Sequence, residues 1–506
     1  MPSNLTVELT APNGRKYTQP TGLFINNEWT PSSDGKTITS INPTTSSNEQ
    51  EIASVHAASG DDVDRAVKAA RKALKHPSWK NLPATDRGVL LNRLADLVEQ
   101  NRETLATIET WDNGKPYADA LNGDLTEVIG TLRYYAGFAD KKFGQVIETT
   151  PDKFAYTVRE PVGVCGQIIP WNFPLAMAAW KLGPALACGN TVVIKAAEQT
   201  PLSILFFANL IAEAGFPPGV VNVINGYGNI AGAALASHMD VDKIAFTGST
   251  ATAKQIMKMA SVNLKNITLE TGGKSPLIVF DDADLDQATE WAHIGIMSNQ
   301  GQICTATSRI LVQDGIYDKF LAAFRAQIKN ISKIGDPFDE NTFQGPQVTK
   351  AQYDRIMSYV DIGKQEGAKL ECGGEPLTDM GDGKGYFIQP TVFTGVSENM
   401  RIYQEEVFGP FVVIQRFSTE EQAVDLANNT TYGLGSAVFT QNLVRAHRVA
   451  KNIEAGMVWI NSSQDSDWRI PFGGVKQSGI GRELGEAGLE AYSNIKAIHV
   501  NMKSKL

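Results

Sequence analysis

Apolar residues recur at helical spacing between Asp61 and about Tyr135. Ala66, Ala69, Ala70, Ala73 and Leu74 share one face, and Leu90, Leu94, Leu97 and Val98 share another. The spacing predicts a run of helices, with Asp61 and Asp62 capping the first and complementing its dipole. From Asp140 to Arg159 the periodicity stops, and this Thr-rich polar stretch reads as an extended arm or hairpin. Between Val162 and Glu270 short β-rich runs alternate with helical stretches: Val162–Ile169, Thr191–Ile194, Val220–Val223, Lys243–Phe246 and Ile267–Leu269. Each strand–helix step takes about 25 residues, as a parallel sheet with crossover helices requires. The pattern predicts an α/β fold with an open doubly wound sheet, whose ligands bind at the carboxyl ends of the strands. A second α/β region runs from Thr271 to about Pro471, with strands near Arg309–Val312, Phe387–Phe393 and Val458–Asn461. The C-terminal piece, Ala491 to Met502, reads as a strand with no local partner, and no internal repeat or low-complexity segment is present.

At 506 residues the chain is too long for one compact domain. A net charge of −9 gives no electrostatic reason to expect nucleic acid or an anionic membrane as a partner. No apolar run approaches the roughly 20 residues that span a bilayer. Four cysteines, at 165, 188, 304 and 372, are too few and too widely spaced for a disulfide framework. Free thiols in a reducing compartment are the better reading, and the six histidines show no metal-ligand spacing, so no metal is expected. Met1 to Tyr17 has neither an apolar signal core nor an Arg-rich transit pattern. Ser504-Lys505-Leu506 matches the tripeptide read as a peroxisomal address; otherwise a cytoplasmic location is expected.

Candidate chemistry starts at Cys304, in Asn299-Gln-Gly-Gln-Ile-Cys304-Thr305, between a glycine-containing turn and a predicted strand. Taken alone, a free cysteine is more often a small buried hydrophobe. Glu270 changes that balance. It closes Ile267-Thr-Leu-Glu270 and precedes Thr-Gly-Gly-Lys274-Ser-Pro276, a carboxylate at a strand end with glycines that admit a ligand's close approach. Partial burial there would raise its pKa and suit it to general-base work. Ile169-Pro-Trp-Asn172-Phe-Pro174 presents a neutral amide where an oxyanion could form, although Asn and Pro are also ordinary turn residues. Lys195 and Glu198 leave the second strand, where a carboxylate can bond ribose hydroxyls and repel a 2′-phosphate. Phe246-Thr-Gly248-Ser249-Thr250 opens a helix where pyrophosphate would sit. Ser478-Gly-Ile-Gly481-Arg-Glu-Leu-Gly485 looks like a dinucleotide fingerprint, but its glycine spacing is one residue too long and no strand precedes it; it reads as a structural turn before a helix.

Together these residues resemble the NAD(P)-dependent aldehyde dehydrogenase superfamily, in the branch holding cytosolic, mitochondrial and betaine-aldehyde types, with fungal members nearest. The motifs are Leu269-Glu-Thr-Gly-Gly-Lys-Ser-Pro276, Asn299-Gln-Gly-Gln-Ile-Cys304, Pro170-Trp-Asn-Phe-Pro174, Glu405-Glu-Val-Phe-Gly-Pro410 and Pro471-Phe-Gly-Gly-Val-Lys476, in order along nearly the whole chain. The resemblance implies Cys304 as nucleophile, Glu270 as base, and Asn172 with the Cys304 backbone N–H as oxyanion hole. Lys181 and Glu483 match positions supporting proton relay. It assigns NAD to Ile169, Trp171, Lys195, Glu198, Gly228, Gly248, Ser249, Glu406 and Phe408. The aldehyde tunnel would be lined by Phe173, Met177, Trp180, Ile303, Thr305 and Phe472. One departure is Ala253, where the family has glycine. The implied organisation is a Rossmann-type NAD-binding domain (1–139 and 160–270), a catalytic domain (271–480) and a small β oligomerisation arm (140–159 and 481–506), giving a homodimer or homotetramer. The implied reaction is aldehyde oxidation through a cysteine thioester. A thioester released to coenzyme A, a thiol hydrolase and a non-catalytic dinucleotide-binding protein stay open as alternatives.

Overall fold

The computed structural model describes residues 5–45, 50–377 and 385–503. The helical run comprises α1 (Gly60–Lys75), α2 (Ala84–Gln100), α3 (Arg102–Asn113) and α4 (Leu125–Phe138). The cap of α1 is Ser59 rather than Asp61 or Asp62. Ser59 Oγ accepts the Asp62 N–H at 3.3 Å, and the Asp62 carboxylate accepts the Ser59 N–H at 3.0 Å, a reciprocal capping box. Asp62 therefore acts from the third helical position, and the missed signal was the Ser-x-x-acid spacing itself.

The alternating region builds β1 (Val164–Ile168), α5 (Pro174–Ala187), β2 (Thr191–Lys195), α6 (Leu202–Ala214), β3 (Val221–Ile224), β4 (Lys243–Gly248), α7 (Thr250–Ala260) and β5 (Asn266–Thr271). The five strands are parallel, in the order β5-β4-β1-β2-β3. The order reverses between β1 and β4, which opens a crevice at their carboxyl ends. Period-two alternation decides the layers. Cys165, Val192, Ile194, Val221, Val223 and Ala245 join the core under α2–α6, while Val164, Ile168, Val193, Ile244 and Phe246 join the core under α1. Two short antiparallel strands, Leu23–Ile25 and Glu28–Thr30, extend the β3 edge.

The opposite edge corrects a sequence expectation. Within the supposed turn before a helix, Gly479–Ile480 forms a short antiparallel strand on Leu269 and Glu270 of β5, and the helix Gly485–Ala491 follows. A second sheet of seven strands includes β6 (Pro276–Val279) and β7 (Arg309–Gln313), with α8 (Leu285–Met297) between them. Its expected strand at Phe387–Phe393 is confined to Thr391–Thr394.

The arm is a hairpin, Val146–Ile147 paired with Lys153–Pro161. The C-terminal strand does have a partner within the chain: Ser493–Asn501 pairs antiparallel with Lys153–Pro161 along its whole length. Two sequence-distant segments thus complete a three-stranded sheet, a pairing that local pattern cannot reveal. Ser504, Lys505 and Leu506 lie outside the described residues.

Candidate active site

Glu270 ends the apolar strand β5, opposite Thr247 of β4. Gly272 follows; a Cβ there would stand 2.1 Å from Glu406 Oε2, so only glycine lets that carboxylate close on the strand end. The Gly273 N–H donates to Glu406 Oε1 at 3.0 Å and locks the contact. After α8 the chain makes three consecutive left-handed steps, Asn299 (φ 48°), Gln300 (φ 57°) and Gly301 (φ 69°). A Cβ on Gly301 would fall 2.0 Å from the Gly409 carbonyl, so the turn needs glycine both for its φ and for its packing. This tight turn delivers Cys304 into a cavity of about 500 Å³ that Glu270 and Asn172 also line.

Asn172 is buried. Its Nδ2 donates to the Gln302 carbonyl at 2.9 Å, two residues before the thiol, and its own carbonyl accepts Lys115 Nζ at 3.0 Å and Asn299 Nδ2 at 3.2 Å. One amide hydrogen is used by Gln302, which leaves the other for a ligand oxygen. Lys115 is itself buried in an ion pair with Asp124 and sits 4.2 Å from the centre of the Phe173 ring.

The electrostatics are dominated by burial. Glu270 is 2% exposed, and neither of its oxygens has a hydrogen-bond partner of good geometry. Burial, reinforced by the nearby Glu483 carboxylate, pushes it up to about 8; the Cys304 thiol and Lys181 pull only weakly the other way. The Cys304 thiol is raised well above its usual range, first by burial and then by the facing Glu270 carboxyl. Each group therefore holds the other's proton balance. Behind them Lys181, wholly buried, bonds Glu483 at 2.7 Å and Thr247 Oγ1 at 2.7 Å. Lys181 and Glu483 do not line the cavity but stand behind Glu270.

On one side the cavity meets the carboxyl ends of β4 and β5. Thr247, Gly248 and Ser249 line it, and Ser249 caps α7 by accepting the Thr252 N–H at 3.2 Å. Trp171 and Phe408 meet edge to face at 5.4 Å, and desolvation pushes the half-buried Glu406 carboxyl beside them up to about 7. Ala253 faces inward on α7, buried against the core under α1. Ile169, Lys195, Glu198 and Gly228 lie apart from this cavity. Lys195 bonds Glu198 at 3.3 Å at the end of β2, a Cβ on Gly228 would be 3.9 Å from Glu198 Oε1, and the Ile169 N–H joins β1 to the Lys195 carbonyl at 3.2 Å.

On the other side stand Phe173, Met177, Trp180, Ile303, Thr305 and Phe472, with Trp180 and Phe472 edge to face at 4.8 Å. Thr305 bonds Gln464 at 2.5 Å. Sequence reasoning missed Asp124, Glu127, Gln352, Arg355, Gln464 and Ser466, which line the same cavity. They sit on helices and loops whose local sequence carries no chemical signature; only tertiary packing brings them in. Among the described residues no cluster of histidine, cysteine or carboxylate is arranged to hold a metal ion.

Comparison with known proteins agrees with this geometry. The profile of the aldehyde dehydrogenase family matches residues 29–498. An aldehyde dehydrogenase of Emericella nidulans is 56% identical over 492 residues, covering 97% of each chain. One from Saccharomyces cerevisiae, whose name specifies NAD(P)+, is 52% identical over 489 residues, 96% of each chain. The solved NAD+ complex of an aldehyde dehydrogenase from Bacillus cereus superimposes with a TM-score of 0.93 at 48% identity, covering 96% of this chain and 97% of that one.

Proposed function

Because this chain belongs to the aldehyde dehydrogenase family, we propose that it oxidises an aldehyde to a carboxylic acid with NAD, Cys304 capturing the carbonyl and Glu270 activating the water that frees the acid. The observation that carries this reading is that the Cys304 thiol, the buried Glu270 carboxyl and the Asn172 amide line one cavity.

The residues fit a dinucleotide. The crevice lies at a topological switch point, Ser249 heads a helix whose free N–H groups suit pyrophosphate, and Glu198 offers a carboxylate to a ribose. That carboxylate disfavours a 2′-phosphate and hence favours NAD over NADP. Lys195 would share the ribose, and Glu406, Trp171 and Phe408 would hold the nicotinamide end. When bound, the nicotinamide supplies the acceptor for the aldehyde hydrogen and its electron pair.

The chain's own work is proton and charge management. A thiol raised by burial is protonated at neutral pH, so attack requires a base, and Glu270 takes that proton. The sulfur adds to the carbonyl carbon, and the resulting oxyanion meets the free Asn172 amide hydrogen and the Cys304 backbone N–H. Once the captured carbon is oxidised it is a thioester. Glu270, relieved of its proton towards Lys181 and Glu483, draws a proton from water; hydroxide adds to the thioester and the thiolate leaves. Cys304→Ala is expected to abolish NADH formation while keeping NAD binding by fluorescence titration, and full activity in that variant ends the assignment. Turnover that requires coenzyme A and yields an acyl thioester would exclude the hydrolytic ending.

We infer as well that the chain works as a homo-oligomer, a dimer or a tetramer, built through the arm. Phe143, Val146, Ile147 and Ile495 are exposed apolar residues on or beside a sheet with open edges, an arrangement that favours cover by a second copy.

A further inference from the structure

We propose that Lys243 is the outlet through which the proton collected by Glu270 leaves the protein, so that the rear of the sheet, and not the mouth of the cavity, discharges the base between its two uses; this rests on the oxidation reading above. The demand comes from proton balance. Glu270 takes one proton from the Cys304 thiol and must shed it before it can take the next from water. That second proton returns to the departing thiolate. One proton per turnover therefore has to leave Glu270 while the acyl group and the dinucleotide fill the cavity. The pair behind it, Lys181 and Glu483, is itself buried and gives that proton no way to solvent.

The sheet carries a route onward. A parallel strand covered on both faces normally buries apolar side chains on both. On β4 and β5 one face obeys this, with Ile244, Phe246, Ile267 and Leu269 in or against the core under α1. The opposite face sets Lys243, Ala245 and Thr247 of β4 in register with Asn266, Thr268 and Glu270 of β5. All but Ala245 are polar, and such a row is expensive to bury. At one end Lys181 Nζ holds Thr247 Oγ1 at 2.7 Å. At the other the fully buried Lys243 leans along the sheet, its Nζ donating to Thr268 Oγ1 at 2.6 Å and to Asn266 Oδ1 at 2.8 Å. Asn266 is exposed. One pleat repeat, about 7 Å, separates the level of Thr247 from that of Thr268. Gln167 of β1, opposite Ala245, stands in that step with a buried Oε1 that has no hydrogen-bond partner, while its Nε2 donates to the Lys181 carbonyl at 2.8 Å. Among the described residues no carboxylate forms an ion pair with Lys243. The titratable groups that face it are Cys165 of β1, Glu483, Lys181 of α5, and Tyr492, whose ring centre is 5.1 Å away. Burial brings its ammonium down to about 8, the level to which Glu270 is raised, so a proton passes between the two without a large uphill step.

The test times the proton against NADH within a single turnover. Enzyme and NAD in excess over butanal are mixed by stopped flow in dilute buffer with a pH indicator dye, at a pH above the titration of Glu270. In the parent the first proton should appear with NADH and ahead of the acid. Lys243→Met should form NADH at the parental rate yet release the proton, and then the acid, about tenfold later or more. Thr268→Val should delay both as well, and Thr268→Ser, which keeps the hydroxyl, should not; this conservative pair decides the matter if Lys243→Met does not fold. Parental timing in Lys243→Met, or Thr268→Val behaving as Thr268→Ser, overturns the outlet while NADH from the parent leaves the oxidation reading intact. NADH and proton slowing together in the variants marks a structural effect and overturns it equally. Absence of NADH from any aldehyde in the parent removes the oxidation reading, and the outlet falls with it.

Discussion

In the proposed reaction Glu270 has to be both deeply buried and able to lose its proton. Its position around 8 means that the basic form accumulates only as pH rises, so hydrolytic turnover is expected to climb through that range and level off above it. Glu270→Gln should abolish this limb and slow both the first turnover of NADH and the steady state, read by stopped-flow absorbance. A pH profile that stays unchanged in the variant assigns the limb to another group. The same shift has a stability consequence. A carboxyl whose folded pKa lies above its unfolded value favours the folded state at low pH, and that contribution is lost as pH rises through about 8. Glu270→Gln should therefore melt at a higher temperature than the parent at alkaline pH, and a scan of melting temperature against pH checks it. Asn172→Ala removes one oxyanion donor and should lower kcat by roughly 10²–10³, with a smaller change in KM. The short motifs around Glu270, Asn172 and Cys304 made these residues legible, because a strand end, a Pro-flanked turn and a glycine turn each concentrate their signal within a few positions. Glu127 and Gln464 were illegible for the opposite reason: a glutamate on a helix and a glutamine in a loop are ordinary until packing turns them inward.

Among the elements, the link between α3 and α4 supports Asn172, the proposed oxyanion donor, from below. Lys115 and Asp124 are buried together, and Lys115 also holds the Asn172 carbonyl. Lys115→Met strands the Asp124 charge in the interior and should cost about 3–5 kcal/mol of stability. Adding Asp124→Leu should restore much of it, because a hydrophobic pair of similar volume can replace a buried ion pair. Chemical denaturation of the two variants checks the sign, and equal destabilisation in both refutes the account. Periodicity made α1 and the five parallel strands readable, because each buries a regular face. The Ser59 cap was misread by two residues, since Asp61 and Asp62 are both good capping types and only the backbone geometry chooses. The pairing of Ser493–Asn501 with Lys153–Pro161 escaped for a deeper reason: its partners lie more than 300 positions apart, and local pattern says only that each is extended.

For the whole molecule, the doubly wound sheet and the second sheet meet where the thiol turn faces the β5 end, so the cavity depends on both layers. The arm projects apolar side chains that the other described residues leave exposed, and the proposed self-association would cover that surface. Replacing Val146 and Ile147 together with lysine should shift the species to smaller mass in light scattering after size exclusion, with loss of thermal stability. An unchanged mass would move the interface elsewhere.

The edge strand Gly479–Ile480 has one more implication, in time rather than in space. It clasps the very residues, Leu269 and Glu270, that end β5, and the Glu483 just beyond it completes the Lys181 bond. A nascent chain emerging from the ribosome therefore lacks this edge and the buried Glu483 until residues 479–483 have followed β1 to β5 out. Contacts of such long sequence separation form late. A translation product cut short before Gly479 is therefore expected to carry the Cys304 thiol opposite an unfinished strand edge, with Lys181 lacking its Glu483 partner.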